Sequence, residues 1–389
     1  MSIKKRYAIA VMTRGIGGAG TRFVYLFYFL SQKHSDSPID LIINESKYQE
    51  MLSRGIPLDQ CKNVVRLMDR GANGSWRYKF FYMQYAWYMC RNAHEYLAIH
   101  FVSAAYIATI PLFILKKLRC LKTRIGMTFA SLSIPMAFYD YKPKKSFLLS
   151  MRLVDYIDQL NPGVQLPKKL LEKSTFSPCS FITYDARVLD CKVREKELAV
   201  CFVGAFEPIK SPLLLAEAMK FVLQVIPFVK FYFIGSGVLE EKLISIKSQL
   251  PGDLQGNVSI GYQKSPVETL KKTKIFCSLQ TYTNYPSQAL LEAMFARNFI
   301  IATDTGDTQH LLSDTSYCDL IDLRITPEAL AERILFFLSL PEMQQNISME
   351  CSYQKASQFA RIENYAKYFM NECMRVSKGK VSISNFDDV

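Results

Sequence analysis

Residues 275–304 read IFCSLQTYTNYPSQALLEAMFARNFIIATD. Two apolar runs, 275–279 and 298–304, flank a segment in which Ala289, Leu290, Leu291, Ala293 and Met294 recur at helical spacing. A strand, a helix and a strand in that order predict parallel pairing, because the helix carries the chain back along the sheet. The surrounding chain repeats the pattern. "YAIAVMT", "IDLIIN", "NVVRL", "YLAIHF" and "TRIGMTF" are strand candidates in the first half, and "LAVCFVG", "VKFYFIG", "NVSIGY" and "SYCDLID" join the opening pair in the second, with helix-length segments between them. Such alternation predicts an α/β protein made of two tandem doubly wound parallel-sheet domains. It weakens over 161–197, where "NPGVQLP" and "DARVLDCKVREKE" are polar and turn-rich. We therefore expect a first domain over 1–180, a hinge over 181–197 and a second domain over 198–357. The remaining 358–389 is expected to pack a helix back on the first domain and to end in a frayed tail.

The chain has 389 residues, 49% of them hydrophobic and 21% charged, which suits packed domains rather than disorder. Its ten cysteines form no CxxC pair and only four histidines are present, so neither a disulfide framework nor a zinc site is expected. Reduced thiols point to the cytoplasm. "MSIKKRYAIAVMTRGIGG" has no small-residue cleavage site after its short apolar run and reads as a first strand, not a signal peptide. "LAIHFVSAAYIATIPLFIL", residues 97–115, has the length of a membrane span but contains His100 and Pro111; it reads as a buried strand followed by a buried helix.

Charge is divided unevenly. Residues 1–180 hold 26 Lys+Arg against 11 Asp+Glu, a balance of +15, and residues 181–389 hold 22 against 24, a balance of −2. A basic first domain implies an anionic partner, either a membrane surface or nucleic acid, and no nucleic-acid recognition motif is present. Lys116, Lys117, Arg119, Lys142, Lys144 and Lys145 are candidate contacts to phosphate or lipid, with a solvated face as the ordinary alternative. "SWRYKFFYMQYAWYMCRN", residues 75–92, holds both tryptophans in this domain. Trp76 or Trp87 is expected to meet lipid unless all these rings face the core.

Sheets of this class bind ligands beyond the carboxyl ends of their strands. "TRGIGGAGTRF" (13–23) places Gly17 and Gly18 there, as either a phosphate cradle or a tight turn. "CFVGAFEPIKSPLLLAEAM" (201–219) places Gly204 at a strand end and Lys210 before a helix opened by Ser211 and Pro212. A cation there opposes the helix dipole unless a diphosphate binds. "FIGSGVLEEKL" (233–243) adds Gly235 and Gly237. In the opening stretch Pro286 can start the helix, leaving the amides of Tyr285 and Ser287 near its positive end. Glu292 then falls among apolar neighbours, where a carboxylate needs either the hydroxyls of a ribose or a nearby Lys or Arg.

Taken together these residues resemble the donor site of family-4 (group 1) glycosyltransferases of GT-B fold, of the bacterial surface-polysaccharide type. The second-domain signature of that family is Glu-x7-Glu ahead of "EAMA.G.PVIATD.GG", and Tyr285 to Gly306 matches it in spacing. The resemblance extends over nearly the whole chain through the Gly17-Gly18 loop, "VDYIDQLNP", "FSPCSF", Lys210, Gly235 and Glu292. It implies two Rossmann-like domains with a central cleft, with Glu292 on the donor ribose, Lys210 on the diphosphate and Asn284 completing the catalytic set. Gly17, Gly18, Gly204, Gly235, Tyr285, Pro286, Ser287 and Leu291 would line the substrate, with His100 a further cleft candidate or a structural histidine. The implied reaction is retaining transfer of a hexose from a nucleotide-diphosphate sugar, without metal or cofactor, to a glycan or polyprenyl-linked acceptor at the inner face of the cytoplasmic membrane. Three positions depart from the family: Asn284 replaces the first Glu, Ala205 an Arg, and Ala130 a His. They motivate the alternative of a catalytically impaired partner or regulator.

Overall fold

The computed structural model describes residues 6–12, 18–33, 39–69, 76–102, 112, 114–116, 118, 120–129, 154–160, 168–281, 285 and 287–374. The chain divides into two compact units, Met1–Thr183 with Ile362–Val389, and Tyr184–Arg361.

The first unit is built on a seven-stranded sheet: β1 Arg6–Val11, β2 Ile39–Asn44, β3 Val64–Leu67, β4 Tyr96–Val102, β5 Arg124–Phe129, β6 Tyr156–Gln159 and β7 Ser174–Phe176. The order is β3-β2-β1-β4-β5-β6-β7 and every pairing is parallel. Both faces are covered, as a parallel sheet requires. Ala8 and Ala10 of β1 belong to the core that includes Phe81, Tyr85 and Met89 of the helix Trp76–Asn92. Ile9 and Val11, pointing the other way, pack with Phe23 and Phe27 of the helix Gly18–Lys33 and with Tyr365 and Phe369 near the carboxyl end. The alternating β parity thus feeds two separate cores.

Two short strands, β6 and β7, escape the sequence reading. In β6 the apolar pattern is interrupted by Asp158 and Gln159, both buried. Asp158 accepts hydrogen bonds from Thr128 Oγ1 (2.7 Å), Ser177 Oγ (2.6 Å), Tyr365 Oη (3.1 Å) and Tyr368 Oη (2.8 Å). Four donors make a buried carboxyl tolerable and tie the helix Ile362–Tyr368 to the sheet. His100, weighed above as a cleft residue, lies in this same interior. It is fully buried, stacked with Phe23 and Tyr156, and exchanges hydrogen bonds with Tyr156 Oη at 2.8 Å and Thr128 Oγ1 at 2.5 Å. Thr128 spends its proton on Asp158, so His100 Nε2–H donates to Thr128 and Nδ1 accepts from Tyr156. Burial, with Arg124 second, pushes the imidazole pKa down to about 3, consistent with this neutral tautomer. His100 is a structural residue, which corrects its assignment to the substrate.

Residues 97–102 of the possible membrane segment lie in the strand Tyr96–Val102, and no helix among the described residues is long and apolar enough to cross a membrane. On the helix Trp76–Asn92, Tyr85 and Met89 are buried, whereas Met83 is 66% and Trp87 63% exposed. Cys90 is also exposed, and the Arg91 guanidinium lies 5.3 Å from the Trp87 ring centroid. The side chain of Trp76 lies outside the described residues, as do Lys117, Arg119, Ala130, Lys142, Lys144 and Lys145.

The second unit carries six parallel strands: β8 Glu197–Val203, β9 Lys230–Ile234, β10 Val258–Gly261, β11 Thr273–Ser278, β12 Phe299–Thr303 and β13 Cys318–Ile321, in the order β10-β9-β8-β11-β12-β13. The chain runs outward from β8 to β10 on one side and from β11 to β13 on the other. The switch point therefore falls between β8 and β11, where open parallel sheets bind ligands.

Candidate functional site

Because all six strands are parallel, the loops after β8, β9, β11 and β12 leave from one edge of the sheet. The loop after β8 is stitched to the loop after β9: Gly204 N donates to Ile234 O, Phe206 N to Ser236 O, and Leu239 N to Phe206 O, at 2.9–3.0 Å. Gly235, at φ 156°, passes so close that an added Cβ would lie 1.9 Å from Gly204 O. Only glycine fits, and the two glycines singled out in the sequence meet here.

Lys210 ends a single 3₁₀ turn, Pro208–Lys210, ahead of the helix Pro212–Val225. Ser211 does not cap that helix as its type suggests. It stands at φ 50° and its hydroxyl donates back to Pro208 O at 3.2 Å, so the chain reverses sharply after Lys210. The ammonium of Lys210 donates to Gln280 Oε1 at 2.8 Å. Gln280 follows β11 and is itself buried, and its backbone carbonyl accepts from Thr303 Oγ1 at 2.6 Å. Thr281 N donates to Ile209 O at 2.9 Å, joining the two loops across the switch point. Burial lowers the Lys210 pKa, and the nearby Glu207 offsets part of this. Among the described residues the Lys210 ammonium forms no ion pair; its partner is a neutral amide.

The helix Gln288–Phe295 opens at Ser287, whose Oγ accepts from Leu290 N at 3.4 Å. Leu291 is fully buried and its amide donates to Ser287 O at 3.0 Å. It is framework, not a ligand contact, which corrects its place among the substrate residues. Tyr285 packs between His310 and Phe359, with ring centroids 6.2 Å and 6.0 Å away. Gly18 is the first residue of the helix Gly18–Lys33 in the other unit. Gly17, Asn284 and Pro286 lie outside the described residues.

Glu292 is 9% exposed, one turn into its helix. Burial pushes its pKa up to about 8, and the Tyr184 hydroxyl opposes that shift. Among the described residues no Lys or Arg pairs with Glu292, so the salt-bridge alternative has no support there. The Tyr184 hydroxyl is itself buried without a partner in hydrogen-bonding geometry. It is near enough to act on the carboxyl but is not aligned as a bond. Among the described residues the site therefore holds a cation bound to a neutral amide and an acid without a cation. Both are suited to a ligand with an anionic group and hydroxyl donors. Gln280 and Tyr184 were not legible as site residues, since each acquires its role only by contact with a segment remote in sequence.

The described residues contain no group of three His, Cys, Asp or Glu side chains that would hold a metal ion. Comparison with solved structures matches nearly the whole chain. The Anabaena protein HepE, crystallised with UDP, superposes with a TM-score of 0.69 at 13% identity, covering 94% of this chain and 98% of its own. A glycosyltransferase from Rickettsia africae gives 0.70 at 12% identity, over 96% and 100% of the two chains. TarM gives 0.69 at 12%, over 95% and 99%. The fold is GT-B. Residues 190–350, inside the second unit, match the family model of glycosyl transferases group 1. No curated protein gives a significant sequence match.

Proposed function

We propose that the protein is a glycosyltransferase that moves a hexose from a nucleotide-diphosphate sugar to a hydroxyl of a glycan or lipid-linked acceptor, with retention at the anomeric carbon and without a metal, in surface-polysaccharide synthesis. The observation that carries this reading is the pairing of Lys210 with Gln280 at the switch point of the second sheet. A half-buried ammonium held by a neutral acceptor keeps its charge for a diphosphate. That charge opposes the negative charge that grows on the departing nucleotide as the glycosidic bond breaks. Glu292, ionised, would accept from the vicinal hydroxyls of the donor ribose. The match of residues 190–350 to the group 1 family, and the UDP held by HepE, support a nucleotide-sugar donor. Released nucleotide, measured against a panel of UDP-, GDP- and TDP-sugars with glycan and polyprenyl-linked acceptors, tests the proposal. Acceptor-dependent release with one donor is expected; background release with all of them would leave the second reading.

That second reading, a catalytically impaired partner or regulator, is favoured by Ala205. This exposed residue stands after β8 where the resemblance expects an arginine.

The acceptor side of the proposal includes an anionic membrane surface at the inner face of the cytoplasmic membrane. Met83, Trp87 and Cys90 form one exposed side of the helix Trp76–Asn92, in the unit that carries the positive charge of the chain. An indole with Arg91 over its ring combines an apolar surface with a cation. We expect Trp87→Ala to weaken sedimentation with phosphatidylglycerol vesicles about tenfold, and wild-type tryptophan emission to shift to the blue on adding them. Equal sedimentation of the two proteins with unshifted emission would rule the helix out as the contact.

A further inference from the structure

Glu292 serves two ribose hydroxyl donors best as a carboxylate, yet its surroundings strip it of water and provide no cation among the described residues. Something must favour the ionised form when nucleotide binds. The helix Gln288–Phe295 packs against β11, β12, the helices Val267–Lys272 and Glu342–Phe359 and the turn Ala186–Leu189. Among the described residues, Tyr184 is the one titratable side chain that acts on the Glu292 carboxyl. Its hydroxyl oxygen is sealed from solvent and, among the described residues, has no partner in hydrogen-bonding geometry. A buried O–H without an acceptor is costly, and an ionised carboxylate beside it is an acceptor with room for several donors. The neutral acid can accept through its carbonyl oxygen, but the ionised carboxylate accepts the stronger, charge-assisted bond.

We propose that Tyr184 is a positioning residue of the donor site: its hydroxyl donates to the ionised Glu292 when a nucleoside diphosphate binds, fixing the carboxylate so that its remaining lone pairs meet the 2′- and 3′-hydroxyls. This rests on the donor-site reading above and extends it to selectivity for ribonucleotides. Tyr184 supports Glu292 through one charge-assisted hydrogen bond, which is short and directional. The ribose hydroxyls supply two further donors from the opposite side. Without the 2′-hydroxyl, ionising Glu292 gains less, and so does any support for the ionised form. The direction of the Tyr184 influence agrees, since the hydroxyl lowers the Glu292 pKa that burial raises.

The test uses the full chain and calorimetric titration with UDP, GDP and ADP, followed by the 2′-deoxy counterpart of whichever binds most tightly. Tyr184→Phe keeps the ring and removes only the hydroxyl. It should weaken the ribonucleotide about tenfold near neutral pH, weaken the deoxynucleotide less, and move the pH midpoint of binding upward. An unchanged affinity and midpoint would overturn the assignment. So would an equal loss for ribo- and deoxynucleotide with no change of midpoint, which is the mark of a merely structural tyrosine. Glu292→Gln separates the two levels of the argument. If it leaves ribonucleotide affinity intact, or if wild type binds none of the three nucleotides, the donor-site reading fails and Tyr184 falls with it. If Glu292→Gln weakens binding and Tyr184→Phe does not, only the role of Tyr184 is lost.

Discussion

Lys210→Ala is expected to lower turnover with the accepted sugar nucleotide by about 10²- to 10³-fold, the usual cost of removing one preorganised donor from a site where charge develops. The loss should fall mainly on kcat, because the diphosphate gains negative charge as the sugar departs and Lys210 is the cation placed to meet it. No Arg stands at position 205 to share the task. Folding should be little affected. Lys210 contributes one hydrogen bond to a neutral amide, and losing it costs about 1 kcal/mol. Kinetics combined with thermal melting check this. Turnover within about twofold of wild type would show that the diphosphate lies elsewhere, since a group removed from the reaction loses at least one charge-assisted contact.

Glu292→Gln is expected to bind nucleotide about 10- to 100-fold more weakly and yet to melt higher than wild type in alkaline solution. The sign follows from the proton balance. A carboxyl in the unfolded chain ionises near its ordinary value of 4.5, whereas folded Glu292 keeps its proton up to about 8. Between those values the folded state binds more protons, so its stability falls as pH rises. The contribution is fully present below 4.5 and gone above about 8. At about 1.4 kcal/mol per pH unit the accumulated loss is on the order of 5 kcal/mol. Glutamine never ionises and escapes it. Every other titrating group is common to the two proteins, so the difference between their melting temperatures isolates Glu292. The two should melt together near pH 4.5, and the variant should melt higher at pH 8.5. A variant that melts lower at both pH values, with unchanged nucleotide affinity, would make Glu292 a structural residue.

What could be read from the chain depended on how local each signal is. The strands of the second unit announce themselves because runs such as "LAVCFVG" and "NFIIATD" are buried on both faces and need no help from remote residues to look apolar. β6 is different. Asp158 and Gln159 make "YIDQ" look like surface, and the tyrosines that satisfy Asp158 come from near the other end of the chain. Lys210 and Glu292 could be singled out because each sits at a fixed distance from a strand end and a helix start, and the resemblance, not the spacing, supplied their expected roles. Gln280 and Tyr184 carry no such mark. A glutamine after an apolar run and a tyrosine in a turn-rich link are ordinary until the fold brings them to Lys210 and Glu292. His100 was left open between a cleft residue and a structural histidine for the converse reason. Its position late in β4 suggested a ligand-facing edge, but Tyr156 can lie across Gly126, where no Cβ intervenes, and closes the ring from above while Thr128 takes its other nitrogen.

We propose that the carboxyl edge of the second sheet binds a nucleoside diphosphate. Hydrogen exchange of the full chain, with and without UDP, GDP and ADP, addresses it most directly, because it reports which amides the ligand protects. With at least one of the three nucleotides, protection is predicted in segments 204–211, 235–239 and 285–292, around Gly204, Lys210, Gly235 and Glu292. Unchanged exchange in those segments with every nucleotide, or protection confined to the first unit, would contradict the account.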